Sequence, residues 1–481
     1  MCMPEWPQIV NLEKKNILGP TLMLRDKNDT IAAIATPIGE GGISVIRISG
    51  PDAFAITDKI FQGKQPVGGA LSHTIHRGTV VHPVEGLVDD VLVSVFRNPH
   101  SYTGEDVTEI SCHGGYFVSK KILETVIESG ARMADPGEFT QRSFVNGKID
   151  LMQAEAVADL IHSKTALAHR ASIEQLSGSL SGSVKAMRQQ LIDLCSLLEL
   201  ELDFSEEGIE LANAGRISSV FDETITELKD LVDSYRFGKI VRDGCKVVLA
   251  GYPNAGKSSL LNVLLKSNRV IVSDTPGTTR DVIEETIVVE GIAFRLVDTA
   301  GLRETEDLIE QEGVRRSMDE IGSADLILLL LDSSQLKLQS HRTIDELIDR
   351  YGNKTLVVLN KIDIRHPRFE LNSFATMESF LISCVDGTGI AELLKSVVHR
   401  ATHDYDSNSS SVRIQSERHR DLLSKTMQCV ISAQSTLRKG MSGEFIAVDL
   451  HSALNYLGEI IGLTTPDDVL NNIFSRFCIG K

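Results

Sequence analysis

This 481-residue chain has few cysteines, few aromatics and no long apolar run. Its seven cysteines, at 2, 112, 195, 245, 384, 429 and 478, are scattered and contain no C-x-x-C pair. That argues against a disulfide or zinc scaffold and fits a reducing cytoplasm. Aromatics make up 5% of the chain, with a single Trp, and hydrophobic residues 42%, an ordinary composition for a water-soluble fold. The longest apolar run, LILLLL at 326–331, has the length of a buried strand and not of a membrane span. Basic residues are also in deficit, for 49 Lys and Arg face 66 Asp and Glu, a formal charge of −17. That argues against a broad basic platform for nucleic acid and gives no support for an anionic membrane surface, so any RNA contact must be local or shared with a partner. Residues 1–28 carry neither a signal-peptide core nor a transit-peptide pattern and are expected to be a flexible extension, with Met23 just ahead of the first strand. The ending Cys478-Ile-Gly-Lys481 fits a prenylation box poorly.

What the chain does have is GYPNAGKSS at 251–259, between the apolar run Val247, Val248, Leu249 and the helix-like Leu260, Leu261, Val263, Leu264. A glycine-bounded loop between strand and helix lets backbone N–H groups curl around phosphate oxygens. Asn254, Ala255, Gly256, Lys257, Ser258 and Ser259 are thus assigned to the phosphates, with Lys257 on the terminal ones and Ser258 on Mg²⁺. Three further motifs follow strands in order: Asp298, Thr299, Ala300, Gly301; then Asn360, Lys361 and Asp363 in NKID; then Ser383 and Cys384 in ISC. The set selects guanine. Asp363 accepts from N1–H and the N2 amine, a donor pair adenine lacks. Asn360 and Lys361 are expected to frame the ring, and an N–H near Ser383 or Cys384 to meet its carbonyl.

From 29 to 150 short strands alternate with helical stretches at 51–61 and 116–129, an α/β domain. Residues 151–243 show apolar positions three and four apart, as helical bundles do, and the pattern resumes over 412–481. The P-loop block spans 244–402 and a Ser-rich linker 403–411. The economical reading is an α/β P-loop domain inserted into an all-α domain whose two halves, 151–243 and 412–481, pack together.

TPIGEGGISVIRISG, SYTGEDV, PGEFTQRSFVNGKIDLMQAEAVADLI, GTTRD at 277–281, DTAGLRE at 298–304 and the ending FCIGK carry a specific resemblance, from about residue 29 to Lys481. The chain resembles the MnmE (TrmE) family of tRNA-modifying GTPases of bacteria and mitochondria. That resemblance implies a cytoplasmic homodimer joined by N-terminal domains, acting on tRNA with the FAD-containing partner MnmG. The two would install an aminomethyl or carboxymethylaminomethyl group at carbon 5 of the wobble uridine. The one-carbon unit would come from a tetrahydrofolate derivative (5-formyl or 5,10-methylene) held by a folate-binding-type α/β (α+β) N-terminal domain through Arg47, Glu105, Lys148 and Lys481. A surface ion pair is the competing reading for each of these four. Cys478 is carried over as a catalytic thiol, against the alternative of a small buried hydrophobe.

The family's switch region places Glu310 as the group that orients water, since Leu302 stands where Ras-like enzymes have Gln; a solvated acidic helix face is the other reading of Glu310. Thr279 joins Ser258 on Mg²⁺. Neither Arg280 nor Arg303 is well placed as an arginine finger. The uncharged oxygens of Asn254, Ser273, Thr275 and Thr278 suit K⁺ instead, in the loop Ser273, Asp274, Thr275, Pro276, Gly277, Thr278, Thr279, whose closure would pair two GTPase domains. Asn254 as a simple turn cap is the plainer alternative. Two rival functions stay open: a regulatory or ribosome-assembly GTPase without one-carbon chemistry, and a folate-dependent transferase acting on a small molecule.

Overall fold

The structure, a computed structural model, describes residues 29–203, 214–268, 284–298, 318–334, 342–365, 377–402 and 414–481. Two compact units divide the chain: one of residues 1–158, 175–228 and 422–481, the other of 159–174 and 229–421. Each is built from separated stretches of sequence.

The first unit opens with β1 (Ile31–Ile34), β2 (Ile43–Ser49), β3 (Phe61–Gly63), β4 (Thr74–His82), β5 (Gly86–Phe96), β6 (Val107–His113) and β7 (Arg132–Met133). They form one sheet in the order β3-β4-β5-β6-β2-β1-β7. All neighbours are antiparallel except β1 and β7. Helices Ala53–Ile60 and Tyr116–Glu128 cover one face, where Ile46, Ile48, Val93, Ile110 and Ile122 are buried together. The alternation of β2, with Val45 and Arg47 less buried than Ile46 and Ile48, follows from side chains pointing to opposite faces. Arg47 accordingly leaves the apolar face and pairs with Glu109 on β6, Nε to Oε1 at 2.8 Å.

Beside the sheet lies a buried charge cluster that no spacing rule announces. Arg142, 3% exposed, reaches Asp29 (2.5 Å), Glu105 (3.2 Å) and Glu138 (3.0 Å). Arg132 pairs with Asp29 (2.7 Å) and Glu138 (2.6 Å). Burial pushes the Glu138 carboxyl up, but Arg132, the Asp135 N–H and Arg142 outweigh it and hold it below its ordinary range. The helical part of this unit pairs Ser179–Asp203 with Gly443–Ile461. Ser442 caps the latter by accepting from the Glu444 N–H, and Gly462 ends it at φ 91°.

The second unit holds β8 (Cys245–Gly251), β9 (Glu284–Val289), β10 (Ile292–Asp298), β11 (Leu326–Asp332), β12 (Thr355–Asn360) and β13 (Ser379–Leu381), in the order β13-β12-β11-β8-β10-β9. Every pair is parallel except β9–β10. The interior strands are apolar on both faces because both faces are covered. Val247, Leu249, Leu328, Leu330 and Val358 enter one core, whereas Val248, Ala250, Ile327, Leu329 and Val357 enter another. Ala168 joins the first of these cores with Leu167 and Ala171 against it, so a stretch read as helical-bundle sequence packs with the P-loop sheet. Entry to and exit from the inserted block are clasped together: the Ile414 N–H donates to Ser234 Oγ at 3.2 Å, and a Cβ on Gly238 would overlap the Ile414 carbonyl. Among the described residues no helix is long and apolar enough to cross a membrane.

Candidate nucleotide site and C-terminal tail site

The P-loop and three polar side chains sit at the carboxyl ends of neighbouring parallel strands, where open α/β sheets bind ligands. β8 runs into the P-loop, β10 ends at Asp298, β11 at Asp332 and β12 at Asn360. Gly251 (φ 142°) and Gly256 (φ 100°) give the loop its curl. A Cβ on the first would overlap the Leu330 carbonyl and on the second the Asn360 side-chain amide, so neither position has room for one. Asn254 stands at φ 64°, exposed, in the left-handed conformation Asn tolerates in turns. Ala255 is buried at 1%, while Ser258 and Ser259 are exposed at the start of helix Lys257–Asn268.

Lys257 is folded back over its own loop, donating from Nζ to the carbonyls of Gly251 (3.1 Å) and Tyr252 (3.0 Å). Burial lowers its proton affinity, and Asp298 partly restores it. The Ser258 hydroxyl donates to Asp298 Oδ2 at 2.9 Å. Asp298 Oδ1 is buried with no hydrogen-bond partner among the described residues. A hydroxyl oxygen next to an unsatisfied carboxylate oxygen is a fitting donor set for a hard divalent cation, so these two residues fit Mg²⁺.

Asn360, 2% exposed, donates from Nδ2 to the Ala255 carbonyl (2.9 Å) and accepts at Oδ1 from the Cys384 N–H (3.3 Å). It thus ties the P-loop to the 383–385 turn. The Cys384 N–H is the one that Asn360 accepts, and the Ser383 N–H donates to the Thr388 carbonyl at 3.0 Å. Lys361, at φ 65°, pairs with Asp332 at 2.8 Å. Asp332 escaped the sequence reading, although its place at the end of an apolar strand was a signal. Asp363 is exposed on the short 3-10 turn Ile362–Ile364, near enough to Cys384 for its charge to raise that thiol's proton affinity, after the larger effect of burial. Thr299, Ala300, Gly301, Glu310 and the loop Ser273 to Thr279, including its Mg²⁺ and K⁺ ligands, lie outside the described residues.

With Asp363 expected at the base, Asp363→Asn turns one of its acceptors into a donor. GTP affinity is expected to fall roughly ten- to hundredfold, the worth of a hydrogen bond to a charged group. Xanthosine triphosphate should gain relative to GTP, and competition between the two nucleotides measures both changes.

A second constellation forms in the first unit. Phe477 is buried with Leu151, Leu470 and Phe474, which anchors the tail. Gly480, at φ 98°, lies so close to β1 that a Cβ would overlap the Ile34 carbonyl. Arg47 Nη1 reaches the Gly480 carbonyl at 3.5 Å, and its guanidinium stacks over Tyr102 (5.1 Å) and Phe139 (5.6 Å). Lys481 is brought to the same place. Burial and Arg47 lower its proton affinity, opposed by Glu109 and Cys478. Cys478 is exposed. Glu105 accepts from Ser49 (2.7 Å) and Arg142, as an internal ion pair does. Lys148 is exposed, donates to the Pro99 carbonyl (2.9 Å) and lies against Gly104.

Comparison with known proteins agrees along almost the whole length. A family model described as the MnmE helical domain matches residues 151–478, and one described as the GTP-binding protein TrmE N-terminus matches 30–148. The tRNA modification GTPase MnmE of Geotalea uraniireducens is 42% identical over 455 residues, 94% of this chain and 99% of that one. Its namesake in Salinibacter ruber is 44% identical over 461 residues, 95% and 100% of the two chains. Among solved structures, the G domain of the T. maritima FeoB iron transporter aligns at 29% identity over 33% of this chain and 98% of its own, with a TM-score of 0.27. A match to both terminal regions, together with a P-loop, a Ser258–Asp298 pair and a guanine-type NKID turn, leaves one assignment: the chain belongs to the MnmE (TrmE) family of tRNA modification GTPases.

Proposed function

We propose that this enzyme hydrolyses GTP as a component of the machinery that modifies carbon 5 of the tRNA wobble uridine. In this reading it adds an aminomethyl or carboxymethylaminomethyl group, using a tetrahydrofolate one-carbon unit and an FAD-containing partner of the MnmG type. The observation that carries it is the docking of the tail on the N-terminal sheet, with Gly480 against Ile34 and Lys481 beside Arg47. A GTPase switch alone has no use for that arrangement. Two cations, Arg47 and Lys481, suit a ligand with a carboxylate tail, as a folate has. The exposed Cys478 thiol stands at the edge of this site.

In the nucleotide site, Lys257 would exchange its two loop carbonyls for phosphate oxygens, whose charge offsets the burial that weakens its hold on a proton. Ser258 and Asp298 would hold Mg²⁺, which when bound neutralises charge between the β- and γ-phosphates. Asp363 reads the base, and Asn360 keeps the P-loop and the base-side turn in register. We assign Glu310 to the attacking water, and K⁺ on Asn254, Ser273, Thr275 and Thr278 to the role of an arginine finger as two GTPase domains of a homodimer close. GTP turnover is then expected to be faster in KCl than in NaCl at equal ionic strength, and Asn254→Ala to lose the difference. Equal rates in both salts remove the cation from the mechanism.

The function itself is tested by mass spectrometry of wobble nucleosides in tRNA from cells lacking the protein, where 5-substituted uridines should disappear. Re-expressing a chain that stops at Phe477 should leave them absent while GTP hydrolysis by the purified chain continues. Their return with the shortened chain would detach the tail from one-carbon chemistry.

A further inference from the structure

Away from both sites, the helical part of the first unit brings a thiol, a carboxylate and an imidazole to one point. Cys195 and Glu199 are one turn apart on helix Ser179–Asp203, a spacing that puts both on the same face. His451 comes from helix Gly443–Ile461, packed alongside. Cys195 Sγ lies 3.6 Å from Glu199 Oε1 and 3.7 Å from His451 Nε2, and the two latter atoms are 3.0 Å apart. We propose that Cys195, Glu199 and His451 bind one Zn²⁺ through these three atoms, with water as fourth ligand.

The distances between the three ligand atoms also meet the requirements of coordination. Tetrahedral zinc with bonds of about 2.3 Å to sulfur and about 2.0 Å to nitrogen and oxygen has ligand–ligand edges of about 3.3–3.6 Å. The triangle matches those edges to within about 0.3 Å, so a metal could enter with side-chain adjustment alone. The sulfur stands off from both partners at the length of a coordination edge.

Exposure fits as well. Cys195 is 4% exposed, whereas the Glu199 and His451 side chains are 52% and 59% exposed, which leaves an entry path and room for the water. Burial and the Glu199 carboxylate push the Cys195 thiol up to about 11. A bound cation opposes both effects, so binding at neutral pH moves the thiol proton to buffer. The metal would staple two helices that are remote in sequence. Three protein ligands with water in the fourth position is the coordination of an open zinc site and not of a closed structural one.

The test uses the full chain, free of any polyhistidine tag and stripped of metal. Zn²⁺ titration by calorimetry in two buffers of different ionisation enthalpy should give one ion per chain with release of about one proton. Co²⁺ in its place should show a thiolate-to-metal charge-transfer band in the near ultraviolet. Cys195→Ser should abolish the band, and Glu199→Gln and His451→Gln should each weaken binding at least about a hundredfold. His451 is at the surface, so its variant folds even if the buried serine does not. No stoichiometric Zn²⁺ binding, a Co²⁺ complex without the thiolate band, or affinity unchanged in the His451 variant would each overturn the assignment.

Discussion

Arg142→Met is expected to destabilise the N-terminal sheet domain by about 3–5 kcal/mol, the usual cost of removing one partner from a buried ion network. Methionine fills much of the same volume but leaves Asp29, Glu105 and Glu138 facing one another with Arg132 as their main remaining cation. The sign with pH follows from Glu138, whose folded-state proton affinity is held below its ordinary value of 4.5. Its contribution is complete above that value and is lost as pH falls through the folded one. The difference between native and variant chains should therefore be full at neutral pH and narrow in acid. Urea midpoints at pH 7 and pH 4 measure both, and a gap that widens on acidification would contradict the network.

Gly256→Ala is expected to lower nucleotide affinity by roughly 5- to 150-fold with far less effect on stability. At φ 100° an alanine is strained by about 1–3 kcal/mol, and its Cβ overlaps the Asn360 amide. The loop can relax only by moving off Asn360, which forfeits the bond to the Ala255 carbonyl, worth about 0.5–1.5 kcal/mol. Free of ligand, the loop escapes the strain. Bound to phosphate, it must resume the original curl, so the penalty appears in binding. Gly251→Ala makes the contrast, because there the Cβ meets the backbone of β11 and should disturb the sheet itself. Titration of a fluorescent GTP analogue beside a melting curve separates the two.

The P-loop was legible in the sequence because phosphate chemistry constrains a contiguous stretch, so Gly251 to Ser259 could be read as a unit. The two-faced apolar strands were legible for a similar reason, since β8 and β11 are short, unbroken and apolar on both faces. What escaped were jobs defined by distant partners. Asn360 holds a loop 105 positions away, and Arg142 reaches Asp29 at a separation of 113. No local pattern encodes either. Strands β3 and β7, three and two residues long, are too short to show an alternation. FCIGK was recognisable as a signature, but its seat on β1 depends on the Phe477 pocket and on Gly480 fitting where no side chain could.

The clasp between Ser234 and Ile414 bears on how the chain comes off the ribosome. Helix Ser179–Asp203 emerges long before its partner Gly443–Ile461, with the whole P-loop block in between. An unfolded spacer of that length would impose a slow, high-contact-order search, and the waiting apolar face would invite misassembly. The inserted block can fold first from its own sheet and close its entry onto its exit. The late helix is then delivered on a shorter tether, and the loop to be closed shrinks from the full insertion to the segments 204–233 and 415–442 flanking the clasp. A destabilised P-loop domain should therefore delay assembly of the helical part during synthesis, even though the two have separate cores.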